Sequence, residues 1–148
     1  MKLLLRILLF FLFLAGLIGV RGIEDWAFYD PFLQYFKNEG VAAYPEFEYG
    51  KLIFSHILRY LLNVLFSCGI VYALFLNKKW VKQTAVIMLL AFVIIFPLYL
   101  WSIGTHMKIG DLLTFYLRRF VIQPVLLLLI IPIFYFQYRK SRNSPKTF

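Results

Sequence analysis

Four long apolar runs restrict this chain more than any other feature. They cover residues 3–22, 52–76, 84–103 and 112–138. A helix of about 20 apolar residues is long enough to cross the roughly 30 Å hydrocarbon core of a bilayer. Hydrophobic residues make up 62% of the chain, far above the share of about 45–50% in soluble domains. The sequence therefore predicts an all-α integral membrane protein, a single domain of four transmembrane helices.

The first run also raises the question of a signal peptide. It is longer than the apolar core of about 7–15 residues in a typical signal peptide, and it ends in Val20-Arg21-Gly22 where a small-residue cleavage site is expected. These features favour a retained anchor, with a cleaved signal peptide as the alternative. Arg6 interrupts the run close to its start, and we expect its side chain to reach the cytoplasmic headgroups.

The distribution of basic residues predicts the orientation. With the N-terminus inside, nine Lys and Arg side chains lie in the cytoplasm and four lie outside, which agrees with the positive-inside rule. Both termini are then cytoplasmic, with a tail at 139–148 and an outer loop at 23–50. The net charge of +9 comes mostly from segment ends. It therefore indicates contact with lipid headgroups and not with nucleic acid, in a multi-pass protein of a bacterial inner membrane.

The outer loop, residues 23–50, is long for a connector and rich in aromatic side chains. Asp30-Pro31 is a good helix start, which predicts a short interfacial helix from Pro31 to about Lys37 lying flat on the membrane. The aromatic residues fit either a belt at headgroup level or a docking surface for a membrane partner. The docking candidates are Trp26, Phe28, Tyr29, Asp30, Phe32 and Phe36.

A polar stripe interrupts the second apolar run. His56, Arg59 and Asn63 are three and four positions apart, so they share one face of a helix. If that helix enters the membrane near Lys51, Arg59 lies about 12 Å below the surface. Charged side chains at such depth face a bundle interior, a cavity or a partner.

The fourth run carries a second polar group. Because Arg119 lies eight positions after Asp111, we expect Arg59 and Arg119 at similar depth, with Arg118 near them. Three interpretations stay open: pairing with Asp111 or an outer-loop glutamate while snorkelling to the outer headgroups, a site for a lipid phosphate or peptide carboxylate, and a polar contact to another membrane protein. The candidates for binding an anion or a partner are His56, Arg59, Asn63, Arg118, Arg119 and Gln123.

A catalytic role has little support in the sequence. Cys68 lies 17 positions after Lys51, or about 25 Å along the helix and near the cytoplasmic side, whereas His56 and His106 lie toward the outer side. A cysteine and histidine pair must come within hydrogen-bond reach. The chain also lacks a zinc-protease or phosphate-loop motif. We therefore predict no catalytic residue, no metal and no cofactor.

Three stretches resemble one family of small membrane proteins. They are residues 23–33 (IEDWAFYDPFL), 59–63 (RYLLN) and 118–120 (RRF), and they look like the exosortase F system-associated proteins of Bacteroidetes. The resemblance implies a non-catalytic accessory role in protein sorting, beside an exosortase, a polytopic cysteine protease that acts on C-terminal sorting signals. The outer loop and the arginines would contact that enzyme or its substrate helix. The alternative is binding or transport of an anionic lipid or lipid-phosphate by the arginines.

Overall fold

The computed structural model describes residues 1–37, 46–106, 108, 110–123 and 125–144, with only the backbone for Asp25, Leu33 and Gln34. Within these ranges the chain forms seven α-helices and no strands. The helices are α1 Lys2–Gly22, α2 Glu24–Ala27, α3 Phe32–Lys37, α4 Tyr49–Phe75, α5 Lys78–Gly104, α6 Asp111–Ile122 and α7 Val125–Asn143.

Three of these helices, α1, α4 and α5, are long and apolar enough to cross a membrane. The helices α6 and α7 qualify as a fourth span only if they are taken together, because they bend by 62° where they meet. The architecture confirms an all-α, multi-pass membrane protein with three or four spans. The side on which each loop lies stays a prediction.

The pair α1 and α4 forms the most extensive helix contact, and two glycines let it close. The ring of Phe66 lies against Gly16, and the ring of Phe13 lies against Gly69; a Cβ at either glycine would be 2.6 Å from the nearest ring atom. Small residues allow helix backbones or large side chains to approach closely, which membrane helices use because lipid supplies no hydrophobic drive between them. The reciprocal arrangement fixes the register of two antiparallel helices.

Arg6 does not follow the expectation from sequence. Its guanidinium donates hydrogen bonds to the carbonyl oxygens of Ala73 at 3.1 Å and Leu74 at 2.5 Å, at the end of α4. The last carbonyls of a helix have no intrahelical partner, and a cation is favourable there. Arg6 therefore caps the C-terminal end of α4, and its guanidinium group is bound by the protein itself.

A tight turn joins α4 to α5. Leu76 takes the left-handed conformation, with φ of 50°, and the Asn77 side chain accepts a hydrogen bond from the Lys79 amide at 2.9 Å. Midway along the pair, the Tyr60 hydroxyl donates to the Met88 carbonyl at 2.5 Å. The helix α5 continues through Pro97.

The predicted fourth span at 112–138 is not one continuous helix, because it breaks after Ile122. Gln123 is extended, with φ of −117° and ψ of 142°, as expected for a residue that precedes a proline. A break leaves carbonyl groups unsatisfied. The Asn63 side chain of α4 donates to one of them, the Ile122 carbonyl, at 2.9 Å.

The short outer helix exists, but its apolar face contacts the protein. Phe32 is fully buried in a cluster with Leu52, Tyr99 and Val121, at the end of the bundle next to α3. The position of this helix flat on the membrane stays a prediction. A second cluster, around Tyr60 and Met88, fills the other half of the bundle.

Candidate functional site

Four charged side chains meet in a cluster where the outer loop touches α4 and α6. Arg118 donates to Oδ2 of Asp30 at 2.5 Å, and a nitrogen of Arg59 lies 3.9 Å from the same oxygen. Arg59 also pairs with Glu24. We call these four side chains the ion cluster. Its two positive and two negative charges balance, as burial of ionised groups requires.

Burial of the ion cluster is nearly complete. The side chains of Arg59 and Asp30 are each 2% exposed and that of Arg118 is 5% exposed, while Glu24, at the rim, is 17% exposed. Two rings cover the guanidinium planes. The centre of the Phe28 ring lies 5.6 Å from Cζ of Arg59, and the centre of the Phe36 ring lies 5.9 Å from Cζ of Arg118. Both distances are within cation–π range.

Some polar atoms of the ion cluster have no hydrogen-bond partner among the described residues. These are Oδ1 of Asp30 and Nε of both Arg59 and Arg118. A buried polar atom without a partner is costly. These unpartnered atoms therefore reduce the stabilisation that the ion pairs of the cluster contribute.

The polar stripe of α4 faces the interior, and each of its members has a different role. His56, 2% exposed, places Nδ1 2.9 Å from the Leu52 carbonyl, and its ring stacks on Phe96. Arg59 belongs to the ion cluster and Asn63 supports the break after α6. The stripe therefore fastens α4 to its neighbours.

The structure separates Arg119 and Gln123 from the other candidates. Arg118 joins the ion cluster, whereas Arg119 is exposed and donates from Nε to the Gln123 side chain at 3.0 Å. Of these two arginines, Arg118 is the one that shares Asp30 with Arg59. Neighbouring positions on a helix point about 100° apart, since there are 3.6 residues per turn, so only one of the pair can face the bundle.

The outer-loop candidates divide in the same way. Phe28 and Phe32 are buried and Phe36 is half-buried, so these rings support the ion cluster and the core. Trp26 is 80% exposed and Tyr29 is 38% exposed, the Tyr29 hydroxyl accepting a bond from the Glu48 amide. Trp26 is therefore the docking candidate with the largest free surface.

The sequence predicted one partner of the ion cluster and missed the other. An outer-loop glutamate was expected, and Glu24 pairs with Arg59. Arg118 pairs with Asp30 and not with Asp111. Asp30 had been interpreted as a helix start, which hid its ionic role. The number of arginines could have indicated a second carboxylate, because two arginines at membrane depth require two carboxylate partners.

Cys68 and His56, considered above as a possible pair, lie far apart on α4. Cys68 lies three helical turns from His56, and its thiol contacts the Val81 carbonyl at 3.8 Å. In the described ranges no three His, Cys, Asp or Glu side chains are placed to hold a metal. Comparisons of the chain with protein-family models, with curated proteins and with solved structures give no match.

Proposed function

We propose that this chain is a non-catalytic accessory protein of a bacterial inner membrane that acts beside an exosortase, contacting the enzyme or its substrate helix. The observation that carries the proposal is the first part of the outer loop, residues 23–37, which the ion cluster holds against α4 and α6 while Trp26 stays exposed. The resemblance of residues 23–33, 59–63 and 118–120 to exosortase F system-associated proteins supplies the partner.

All three stretches of that resemblance contain members of the ion cluster. Glu24 and Asp30 lie in residues 23–33, and Arg59 and Arg118 begin the other two. A cluster that fixes the loop in one conformation lowers the entropy lost when a partner binds. An exposed tryptophan next to such a fixed surface is a typical anchor of an interface.

The proposal is tested by co-purification in mild detergent with an exosortase of the same organism. We expect the enzyme to be retained, and we expect a deletion strain to process C-terminal sorting signals poorly. Normal sorting in the deletion strain, together with no retained exosortase, would contradict the accessory role.

A photocrosslinking residue locates the contact. Placed at Trp26 it should capture the partner, whereas placed at Trp101 of α5, which is 57% exposed, it serves as the matched control. Equal capture at both positions would argue against a specific surface around Trp26.

A thiol mechanism is tested separately. Cys68 is the only cysteine of the chain, so Cys68→Ser removes every thiol with a small change in volume. We expect sorting to continue in this variant. Loss of sorting at unchanged protein level would overturn the non-catalytic proposal.

A further inference from the structure

A cationic cleft opens beside the ion cluster, between the end of α1, α3 and α6. Its volume is about 280 Å³, and its lining includes Arg21, Lys37, Arg118 and Arg119 with Glu24. Basic side chains outnumber acidic ones in this lining, and an excess of positive charge attracts anions.

The positive charge comes from residues outside the ion cluster. Glu24 pairs with Arg59 and Arg118 pairs with Asp30. Arg21 and Arg119 are exposed and form no salt bridge with a carboxylate of the described residues. Each lies in the last turn of its helix, where the helix end supplies only about half an elementary negative charge. The cleft therefore retains net positive charge.

An apolar groove continues directly from this cleft. It also has a volume of about 280 Å³ and runs between α1 and the start of α7, past Leu14, Ile18 and Leu128. The two cavities share Arg21, Ile122 and Gln123. Gln123 accepts a bond from Arg119 through its side-chain oxygen, which leaves its amide hydrogens for another acceptor.

The geometry points to a binding site for one anionic phospholipid, with the phosphate between Arg21 and Arg119 and an acyl chain in the apolar groove. A charged head next to a continuous apolar groove matches the two halves of a lipid and does not match a soluble phosphate. Phosphate favours arginine, whose planar fork binds two of its oxygens. The groove lies at the bend between α6 and α7, since Ile122, Gln123 and Val125 line it.

This site keeps Arg119 and Gln123 of the anion site that the sequence suggested and adds Arg21. Arg59 and Arg118 are not its anchors, because they already have carboxylate partners. It is independent of the proposed accessory function. Lipid retention is measured on the isolated chain, whereas the accessory function is measured by capture of an exosortase, so either can fail alone.

The test is native mass spectrometry of the purified full chain with phosphatidylglycerol or phosphatidylcholine. We expect the unchanged protein to retain one phosphatidylglycerol molecule specifically. The double variant Arg21→Gln/Arg119→Gln should retain about tenfold less phosphatidylglycerol, because it loses two charge-assisted hydrogen-bonding groups. The control is Lys51→Gln/Lys108→Gln, which removes two exposed outer charges away from the cleft. Equal loss in both double variants would overturn the site and indicate general attraction of charge.

The acyl half is tested by filling the groove. Leu128 lines it, whereas the adjacent Leu129 does not, and both are exposed, at 72% and 58%. Leu128→Trp should reduce retention of phosphatidylglycerol, while Leu129→Trp should not. Equal retention in the two variants would overturn the site, as would equal retention of phosphatidylcholine, or competition by glycerol 3-phosphate as strong as that by the intact lipid.

Discussion

Asp30 lies 2.5 Å from Arg118, although 88 positions separate them in the chain. Because both side chains are buried, this contact attaches the outer loop to α6, and the neighbouring Arg59 attaches the same loop to α4. The carboxylate of Asp30 therefore links three segments, which are the outer loop, α4 and α6.

Replacing Asp30 tests this organisation. Asp30→Asn keeps the shape but leaves two buried guanidinium groups with only Glu24 between them. Removing one partner from a buried ion pair costs about 3–5 kcal/mol. We expect thermal unfolding in detergent at a clearly lower temperature, with the outer loop cut faster by protease. Asp111→Asn is the control, because Asp111 is exposed, and an equal loss in both variants would contradict the role of Asp30.

The two adjacent arginines of α6 should respond differently. Arg118→Gln leaves Asp30 short of its nearest partner and should destabilise the protein by about 3 kcal/mol. Arg119→Gln affects an exposed residue and should change the free energy of unfolding by about 0.5 kcal/mol or less. Unfolding in a denaturant series measures both, and similar values would show that Arg118 is not buried in the ion cluster.

Close packing of α1 on α4 makes Gly69 sensitive to any side chain. A Cβ there would lie 2.6 Å from the Cγ of Phe13, an atom near the base of the ring that moves little. Gly69→Ala should therefore cost about 1–3 kcal/mol, a typical value for overpacking. Gly16→Ala should cost less, since the atoms it meets are at the far side of the Phe66 ring.

The control for these variants is Gly19→Ala, because no atom lies within 4 Å of a Cβ at that position. It should leave stability unchanged or raise it, since alanine favours helix more than glycine does. If Gly69→Ala matches Gly19→Ala in thermal unfolding, the helices do not pack in this register.

The cap that Arg6 provides for α4 is testable in the same assay. Arg6→Gln removes the charge that interacts with the carbonyls of Ala73 and Leu74, and we expect a loss of about 1–2 kcal/mol. Lys2→Gln is the control, because Lys2 is exposed. A loss of the same size in both variants would assign the effect to membrane orientation and not to the cap.

The predicted orientation can be read from cysteine accessibility. In a Cys68→Ser background, Trp26→Cys should react with an impermeant maleimide added outside the inner membrane, whereas Lys79→Cys should react only after the membrane is opened. Both positions are exposed in the structure. Labelling of Lys79→Cys from outside would reverse the topology.

The sequence was sufficient for the class of fold because hydrophobic length is a local property. Apolar runs of about 20 residues predict helices that span the membrane. The spacing of His56, Arg59 and Asn63 indicates that they share one face of a helix. The break near Gln123 was less evident, although Pro124 follows it in the sequence. A proline in a membrane helix often only bends it, since neighbours can satisfy the freed groups.

Long-range partners were decided only by the tertiary structure. The sequence showed that buried arginines require acids, but not that Asp30 rather than Asp111 serves Arg118, nor that Arg119 turns outward. It likewise showed a charge at Arg6 but not that this charge binds the carbonyl groups at the C-terminal end of α4. Such pairings depend on how helices pack against one another, because each helix by itself satisfies its own backbone and leaves the choice of side-chain partner open.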